Sequence, residues 1–223
     1  ASTAYSQACD YYYNGIELLD NNAWDSDYEL AIALHQGMVE CAALQSDFPA
    51  QAHWSEILLA HSQTIHDALT AHQYHCLSLV AQGQPIPAID YALPYLKQLG
   101  VDFPDNPTPE DIQQALAQTR RLLFETLGGK PVATLINLPP MTDQNALDAI
   151  HLLSKLSVAF YTAKPALYSL AIAHMVQLCL KQGNTEMMSP FYAAYGFILC
   201  SLSDDIDMGF EFAQLSLANL DKS

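Results

Sequence analysis

Positive charge is scarce in this sequence. Only 8 of the 223 residues are Lys or Arg, against 24 Asp and Glu, and the formal net charge is −16. A chain with this balance repels polyanions over most of its surface. We therefore do not expect nucleic acid or an anionic membrane surface to be a partner.

The sequence also lacks the marks of secreted and membrane-spanning chains. Its five cysteines lie far apart inside apolar helical patterns, and none forms a Cys-x-x-Cys pair. Such cysteines are typical of small buried residues in a reducing compartment. No run approaches the roughly 18 consecutive apolar residues of a membrane span, and no charged segment followed by an apolar one stands at the start. These absences predict a soluble, cytoplasmic protein.

Motifs of enzymatic chemistry are missing as well. The sequence has no Gly-x-Ser-x-Gly elbow and no His-Glu-x-x-His pair. The segment Gly128-Gly129-Lys130 lacks the first glycine of a phosphate-binding loop, and Pro131 stands where that loop has Ser or Thr. We therefore predict that this chain is not an enzyme and that it has no cofactor and no metal site.

One cluster does contain candidate metal ligands. His72, His75 and Cys76 share a face of a predicted helix and could converge on a zinc or copper ion. A structural zinc site needs four ligands, however, and no matched pair stands elsewhere in the sequence. His72 and Cys76 also lie on the apolar stripe of that helix, which favours a core histidine with a hydrogen-bond partner.

Apolar residues recur at helical spacing along the whole sequence, with short turns between the patterns. They predict helices over residues 4–20, 28–45, 65–79, 85–99, 108–127, 142–163, 166–181, 187–202 and 205–221, and another around Trp54 to His61. Paired helices of roughly 34 to 45 residues have the length of tetratricopeptide and related repeats. We expect an all-α fold, an α-solenoid in which antiparallel hairpins stack into a tetratricopeptide-like superhelix, with residues 1–223 forming one domain.

Three local expectations follow from the same patterns. Thr108 and Thr142 are expected to cap the helices that follow them. The helix over 28–45 is expected to bury Leu30, Leu34, Met38, Cys41 and Leu44. The last helix is expected to close the stack with Phe210, Ala213, Leu217 and Leu220.

Large aromatic residues are the best candidates for contact with a partner or ligand. Tyrosine and tryptophan combine a large contact area with a polar tip, which suits a binding groove. The same residues also serve as large packing residues between helices, and this alternative stays open. The candidates are Tyr12, Tyr13, Trp24, Tyr192 and Tyr195.

Four blocks, at residues 8–15, 99–104, 138–143 and 192–199, are more specific than the repeat pattern. They read ACDYYYNG, LGVDFP, LPPMTD and YAAYGFIL. In this order and spacing they resemble the tetratricopeptide-like segment of very large multidomain signalling proteins. Those proteins carry a serine/threonine kinase-like domain, an AAA-type ATPase domain, this helical segment, a GAF sensor domain and usually a histidine kinase.

The resemblance implies that residues 1–223 are a fragment of a larger protein, with the family's catalytic residues outside it. The implied function is a regulatory connector that couples an ATPase module to sensor and kinase modules. A peptide-binding adapter and a small-molecule sensor are the alternatives. The partners expected are other domains of the same polypeptide and a protein or small molecule in the concave face, and a homodimer is left open.

Overall fold

A computed structural model describes the backbone of residues 2–220 and the side chains of residues 5–220. Within these residues the chain is helical and has no β-strand, which confirms the all-α prediction. None of the described helices is both long and apolar enough to cross a membrane. The chain forms two compact units, Ala1–Ala92 and Leu93–Ser223. The stacking of hairpins into a superhelix stays a prediction.

The first unit is built around one central helix. Helix α3 packs against α1, α4 and α5. Ile32 and Val39 of α3 form a buried core cluster with Leu58 of α4 and Ala71 of α5. Asp47 begins α4, because its Oδ1 accepts a hydrogen bond of 3.0 Å from the Ala50 amide. The helices are α1 Ser2–Glu17, α2 Ala23–Ser26, α3 Tyr28–Leu44, α4 Phe48–His61, α5 Leu69–Ala81 and α6 Pro85–Gln98, in which the unit boundary falls.

The buried face of α3 differs from the predicted one. Leu30 and Leu44 are exposed, while Met38 and Cys41 are buried as expected. Because α1, α2, α4 and α5 all contact α3, it also buries small and polar residues between the leucines. The ring of Tyr12 lies where a side chain on Gly37 would stand. Further buried residues of α3 are Ala31, Ile32, His35, Val39 and Ala42.

The second unit contains contacts between elements that are distant in sequence. Helix α9 packs against α7, α8 and α10, and α10 packs against α11. The 3₁₀ segment after α7 packs against α11, where the Val132 amide donates a hydrogen bond of 3.2 Å to Glu211. The elements are α7 Pro109–Leu127, the 3₁₀ segment Val132–Asn137, α8 Gln144–Ala163, α9 Pro165–Gln182, the 3₁₀ turn Glu186–Met188, α10 Ser189–Leu202 and α11 Ile206–Leu220.

The two predicted threonine caps have different outcomes. Thr108 caps α7 as expected, with its hydroxyl accepting from the Asp111 amide at 3.2 Å and its own amide donating to Asp111 at 2.8 Å. Helix α8 begins one residue later than predicted. Its cap is Asp143 and not Thr142, because Asp143 is the residue whose carboxylate accepts from the Ala146 amide at 2.8 Å.

Helix α11 buries a different face from the predicted one. Phe212 and Leu215 are buried, whereas Phe210, Leu217 and Leu220 are exposed. The contact with α10 decides which side is covered. A Cβ atom on Gly196 of α10 would lie 2.6 Å from the carbonyl oxygen of Gly209 in α11, so the two backbones touch at these glycines. Ala213 is exposed too, so the expectation that Phe210, Ala213, Leu217 and Leu220 close the stack is wrong.

Candidate functional site

Two of the five aromatic candidates lie in the core of the second unit. Tyr192 and Tyr195 are fully buried, and both rings pack against Phe212, with centroid distances of 6.0 and 4.9 Å. The Tyr192 hydroxyl donates to Asn184 at 2.8 Å. Burial raises the pKa of Tyr195 to about 12. These tyrosines do not reach the surface where a partner could contact them, so the packing alternative describes them.

Trp24 belongs to a group of rings supplied by α2, α3 and α4. Its indole stacks on the imidazole of His61, with centroids 4.2 Å apart and planes within 1° of parallel. His35 lies 4.6 Å from Trp24, and Trp54 meets His35 edge-on at 5.7 Å. We call Trp24, His35, Trp54 and His61 the aromatic cluster. Since Trp24 is half-buried and His61 is exposed, the cluster reaches the surface of the first unit.

The buried member of the aromatic cluster is a neutral histidine. Burial lowers the pKa of His35, although a hydrogen bond to the Ala31 carbonyl acts in the opposite direction. Its Nδ1 lies 2.7 Å from that carbonyl oxygen, which can only accept, so Nδ1 carries the proton. A neutral ring in this place packs like an aromatic side chain. The cluster therefore offers a π surface and no buried charge.

The remaining two candidates lie on α1. Tyr12 is half-buried over Gly37, and Tyr13 is 48% exposed with its ring edge-on to Trp54 at a centroid distance of 6.4 Å. The structure thus brings Tyr13 to the aromatic cluster and leaves Tyr192 and Tyr195 in the other unit. His35 and His61 are members of this group that the sequence pattern does not reveal, because they are far from Trp24 in sequence.

A hydrogen-bonded loop lies beside the aromatic cluster. The Tyr28 hydroxyl donates to Asp67 at 2.8 Å and accepts from the Gln63 amide at 2.8 Å. Asp67 also accepts from the Thr64 amide at 2.8 Å. Desolvation raises the pKa of Asp67, but the hydrogen bonds from Tyr28, Thr64 and Gln63 outweigh it and lower that pKa. These bonds fix the turn that joins α4 to α5.

His72 has a hydrogen-bond partner, as the sequence predicted, but its side chain is half-buried and not fully in the core. Its Nδ1 lies 2.9 Å from the hydroxyl of Tyr91 in α6, and the ring of His75 lies 4.3 Å from the Tyr91 ring. Cys76 points its thiol at the Ala88 carbonyl. Burial lowers the pKa of His72 to about 4, and the neighbouring His75 adds to the effect.

The lowered pKa of His72 predicts acid sensitivity of the first unit. The folded state keeps the imidazole neutral down to about pH 4, whereas an unfolded histidine protonates near pH 6.5. Between these values the unfolded chain binds more protons, so the free energy of unfolding falls as pH falls. We expect a loss of about 1–2 kcal/mol, reduced by the water that reaches part of the ring.

This loss can be measured by urea unfolding at pH 7 and pH 4.5 in the parent chain and in His72→Gln. The variant is expected to show a smaller difference between the two pH values. His53→Gln, at an exposed histidine of α4, is the matched control and is expected to behave as the parent. Equal pH dependence in all three chains would contradict the assignment.

The buried cysteines are poor nucleophiles. Burial raises the pKa of Cys76 and Cys179 to about 12 and that of Cys41 to about 11. These thiols stay protonated at neutral pH, and the thiolate is the reactive form. They act as small packing residues, as the sequence predicted. Two cysteines differ from that prediction, because Cys9 is half-buried and Cys200 is exposed.

Among the described residues, no group of three or more His, Cys, Asp or Glu side chains is placed to hold a metal ion. A cavity of about 630 Å³ opens between α7 and the end of α10. Two of the polar side chains that line it form structural contacts. Arg120 forms an ion pair with Asp205, and Gln113 donates to the Leu202 carbonyl at 3.1 Å. Both contacts connect α7 to the turn between α10 and α11.

Comparisons with protein-family models, curated proteins and solved structures found no match to this chain.

Proposed function

We propose that this chain is a non-catalytic interaction segment of a multidomain signalling kinase. In that protein it couples an ATPase module to sensor and kinase modules in the cytoplasm. The observation that carries the proposal is the set of four sequence blocks, which read in order like the helical segment of such kinases. A segment of this kind acts through its surface and through the rigidity of its packed helices.

The positions of the blocks support this proposal. Block 138–143 contains the contact that joins the chain before α8 to the end of α9, where Met141 donates to the Asn184 carbonyl and Asn184 donates to the Pro139 carbonyl, both at 2.8 Å. Block 192–199 supplies the two buried tyrosines and Gly196, which meets α11. Both blocks therefore supply residues that hold the second unit together.

The finer architecture is part of the same proposal. The pairs α3–α4, α8–α9 and α10–α11 are consecutive helices in contact, as the hairpins of a tetratricopeptide-like stack are. The contacts of α11 with the 3₁₀ segment at Val132–Asn137 add a connection between distant parts of the sequence. We propose that each unit is a short stack of hairpins and that these added contacts stiffen the second one.

The chain is expected to release no phosphate from ATP. The reason is that the proposed function places nucleotide chemistry in a separate ATPase module. The measurement is phosphate release by the purified 223-residue chain, compared with a buffer blank at several protein concentrations. Release that rises in proportion to the chain and co-purifies with it through two columns would contradict a non-catalytic role.

The family assignment has its own test. Sequencing the complete gene is expected to reveal an AAA-type ATPase domain before this segment and a GAF domain after it. A gene that encodes neither domain would overturn the assignment to signalling kinases. It would leave the described fold unchanged.

A further inference from the structure

The outer side of the α10–α11 hairpin is apolar and uncovered. On α11, Ile206, Phe210 and Leu217 are 64%, 63% and 65% exposed. Together with Ala213 and Leu220 they recur every three or four residues, so they form one straight stripe along the helix. We call this stripe, together with Phe197 and Cys200 of α10, the α10–α11 outer face.

The close helix contact joins the two sides of this face. Gly196 and Gly209 touch, and the Cys200 thiol lies where a side chain on Gly209 would stand. Phe197 follows Gly196, and Phe210 follows Gly209, so each ring stands beside the line where the two backbones meet. Since Phe197 is 65% exposed, the apolar surface extends from α11 across to α10. An apolar area of this kind in a water-exposed position marks an interaction site.

The charge that α10 and α11 themselves supply to the outer face has one sign. Residues 182–220 contain no Lys, Arg or His, and their acidic residues are Glu186, Asp204, Asp205, Asp207 and Glu211. Asp205 is paired with Arg120, whereas Asp204, Asp207 and Glu211 are exposed. Asp207 and Glu211 each follow a stripe residue and are displaced by about 100° around the helix from it. One side of the apolar stripe is therefore bordered by carboxylates, of which Glu211 also accepts the hydrogen bond from the Val132 amide.

We infer that the α10–α11 outer face binds an amphipathic helix of a partner protein. That helix would carry apolar side chains on one side and Lys or Arg along the edges. In helix-in-groove recognition an amphipathic helix lays its apolar face against an apolar surface of its partner. Here the stripe on α11 and Phe197 on α10 supply that surface, and the carboxylate border selects a basic partner. This inference deepens the proposed interaction function and rests on it.

A second copy of the chain fits this face less well. In a symmetric pair the same surface faces itself, so Asp207 and Glu211 would approach the carboxylates of the other copy. Each copy also has a formal net charge of −16. Like charges at the border of an interface oppose association. The charge complementarity therefore favours a basic helix.

The test uses the 223-residue chain and a fluorescent peptide with Leu and Lys at helical spacing. Phe210→Ser and Leu217→Ser are expected to weaken binding at least about tenfold, because each removes an apolar contact. Phe124→Ser, which changes a phenylalanine on α7 that is 77% exposed, is the matched control. It is expected to bind within about twofold of the parent. All three positions are exposed, and circular dichroism checks that each variant is folded.

A second experiment tests whether the carboxylates beside the stripe contribute to binding. Asp207→Asn combined with Glu211→Gln is expected to weaken binding and to reduce its dependence on salt, since two charge contacts are lost. The parent is expected to bind a peptide of the same composition in scrambled order at least about tenfold more weakly. Salt titrations of fluorescence anisotropy measure both effects.

Three results would overturn the inference. Equal binding of the scrambled peptide would mean attraction by net charge alone. Loss of affinity in Phe124→Ser, with none in Phe210→Ser and Leu217→Ser, would mean that the contact is not at α10–α11. A dimer in sedimentation that Phe210→Ser dissociates would identify a second copy as the occupant. None of these results depends on the flanking domains, so this inference and the kinase assignment can fail separately.

Discussion

The variant Gly196→Val is expected to lose about 3 kcal/mol of unfolding free energy. A Cβ atom at this position would lie 2.6 Å from the Gly209 carbonyl oxygen and 3.2 Å from the Cβ atom of Phe212. The first obstacle is backbone, so α11 as a whole would have to move away from α10. Replacing a glycine inside a helix stabilises that helix by less than about 1 kcal/mol. The steric destabilisation is expected to exceed this gain.

Urea unfolding of the parent and the variant measures this loss, and hydrogen exchange in α10 and α11 locates it. Ala193→Val is the matched control, because Ala193 is an exposed residue of the same helix. It is expected to change the unfolding free energy by less than about 0.5 kcal/mol. If Gly196→Val were as stable as the control, the close contact between α10 and α11 would be wrong.

The variant Tyr195→Ala is expected to lose about 3–4 kcal/mol of unfolding free energy. Tyr195 is fully buried and packs edge-on against Phe212, so the truncation opens a cavity in the centre of the second unit. This prediction separates a packing role from a surface role. A tyrosine that only bound a partner could be truncated with little effect on stability.

Tyr13→Ala is the comparison for Tyr195→Ala. Tyr13 is 48% exposed and touches Trp54 by one ring edge. We expect its truncation to lower the unfolding free energy by less than about 1 kcal/mol. Urea unfolding measures both losses. Similar losses in the two variants would contradict the difference in burial between Tyr195 and Tyr13.

The helices could be predicted from the sequence because their signals are local. Prolines, glycines and capping residues mark the ends, and Thr108 with Asp111 forms the box that its spacing indicates. The predicted end of the first helix is wrong. Helix α1 stops at Glu17, not near residue 20, and the short helix α2 follows. Apolar spacing alone does not mark that break.

The buried face of each helix could not be predicted in the same way. A helical pattern shows which residues share a side, but the neighbouring helices decide which side is covered. Helix α11 has one apolar stripe with Phe210 and Leu217 and another buried side with Phe212 and Leu215. The contact at Gly196 and Gly209 covers the second and exposes the first.

Whether each aromatic candidate is buried or exposed also depends on the neighbouring helices. Residue type predicted that Trp24, Tyr192 and Tyr195 would be large contact residues, but type does not distinguish a core contact from a surface contact. Only the fold places Trp24 on His61 and encloses Tyr192 and Tyr195 between helices. The exposed stripe on α11 was present in the sequence as a helical pattern, and its exposure is what the structure adds.

Hydrogen exchange of the 223-residue chain, with and without the Leu and Lys peptide, tests the central claim most directly. The claim is that this helical chain acts through the outer face of its last hairpin. We predict that the peptide slows exchange in Ser189–Leu202 and Ile206–Leu220 and leaves residues 23–61 unchanged. Slower exchange around the aromatic cluster, with none in the last hairpin, would contradict it.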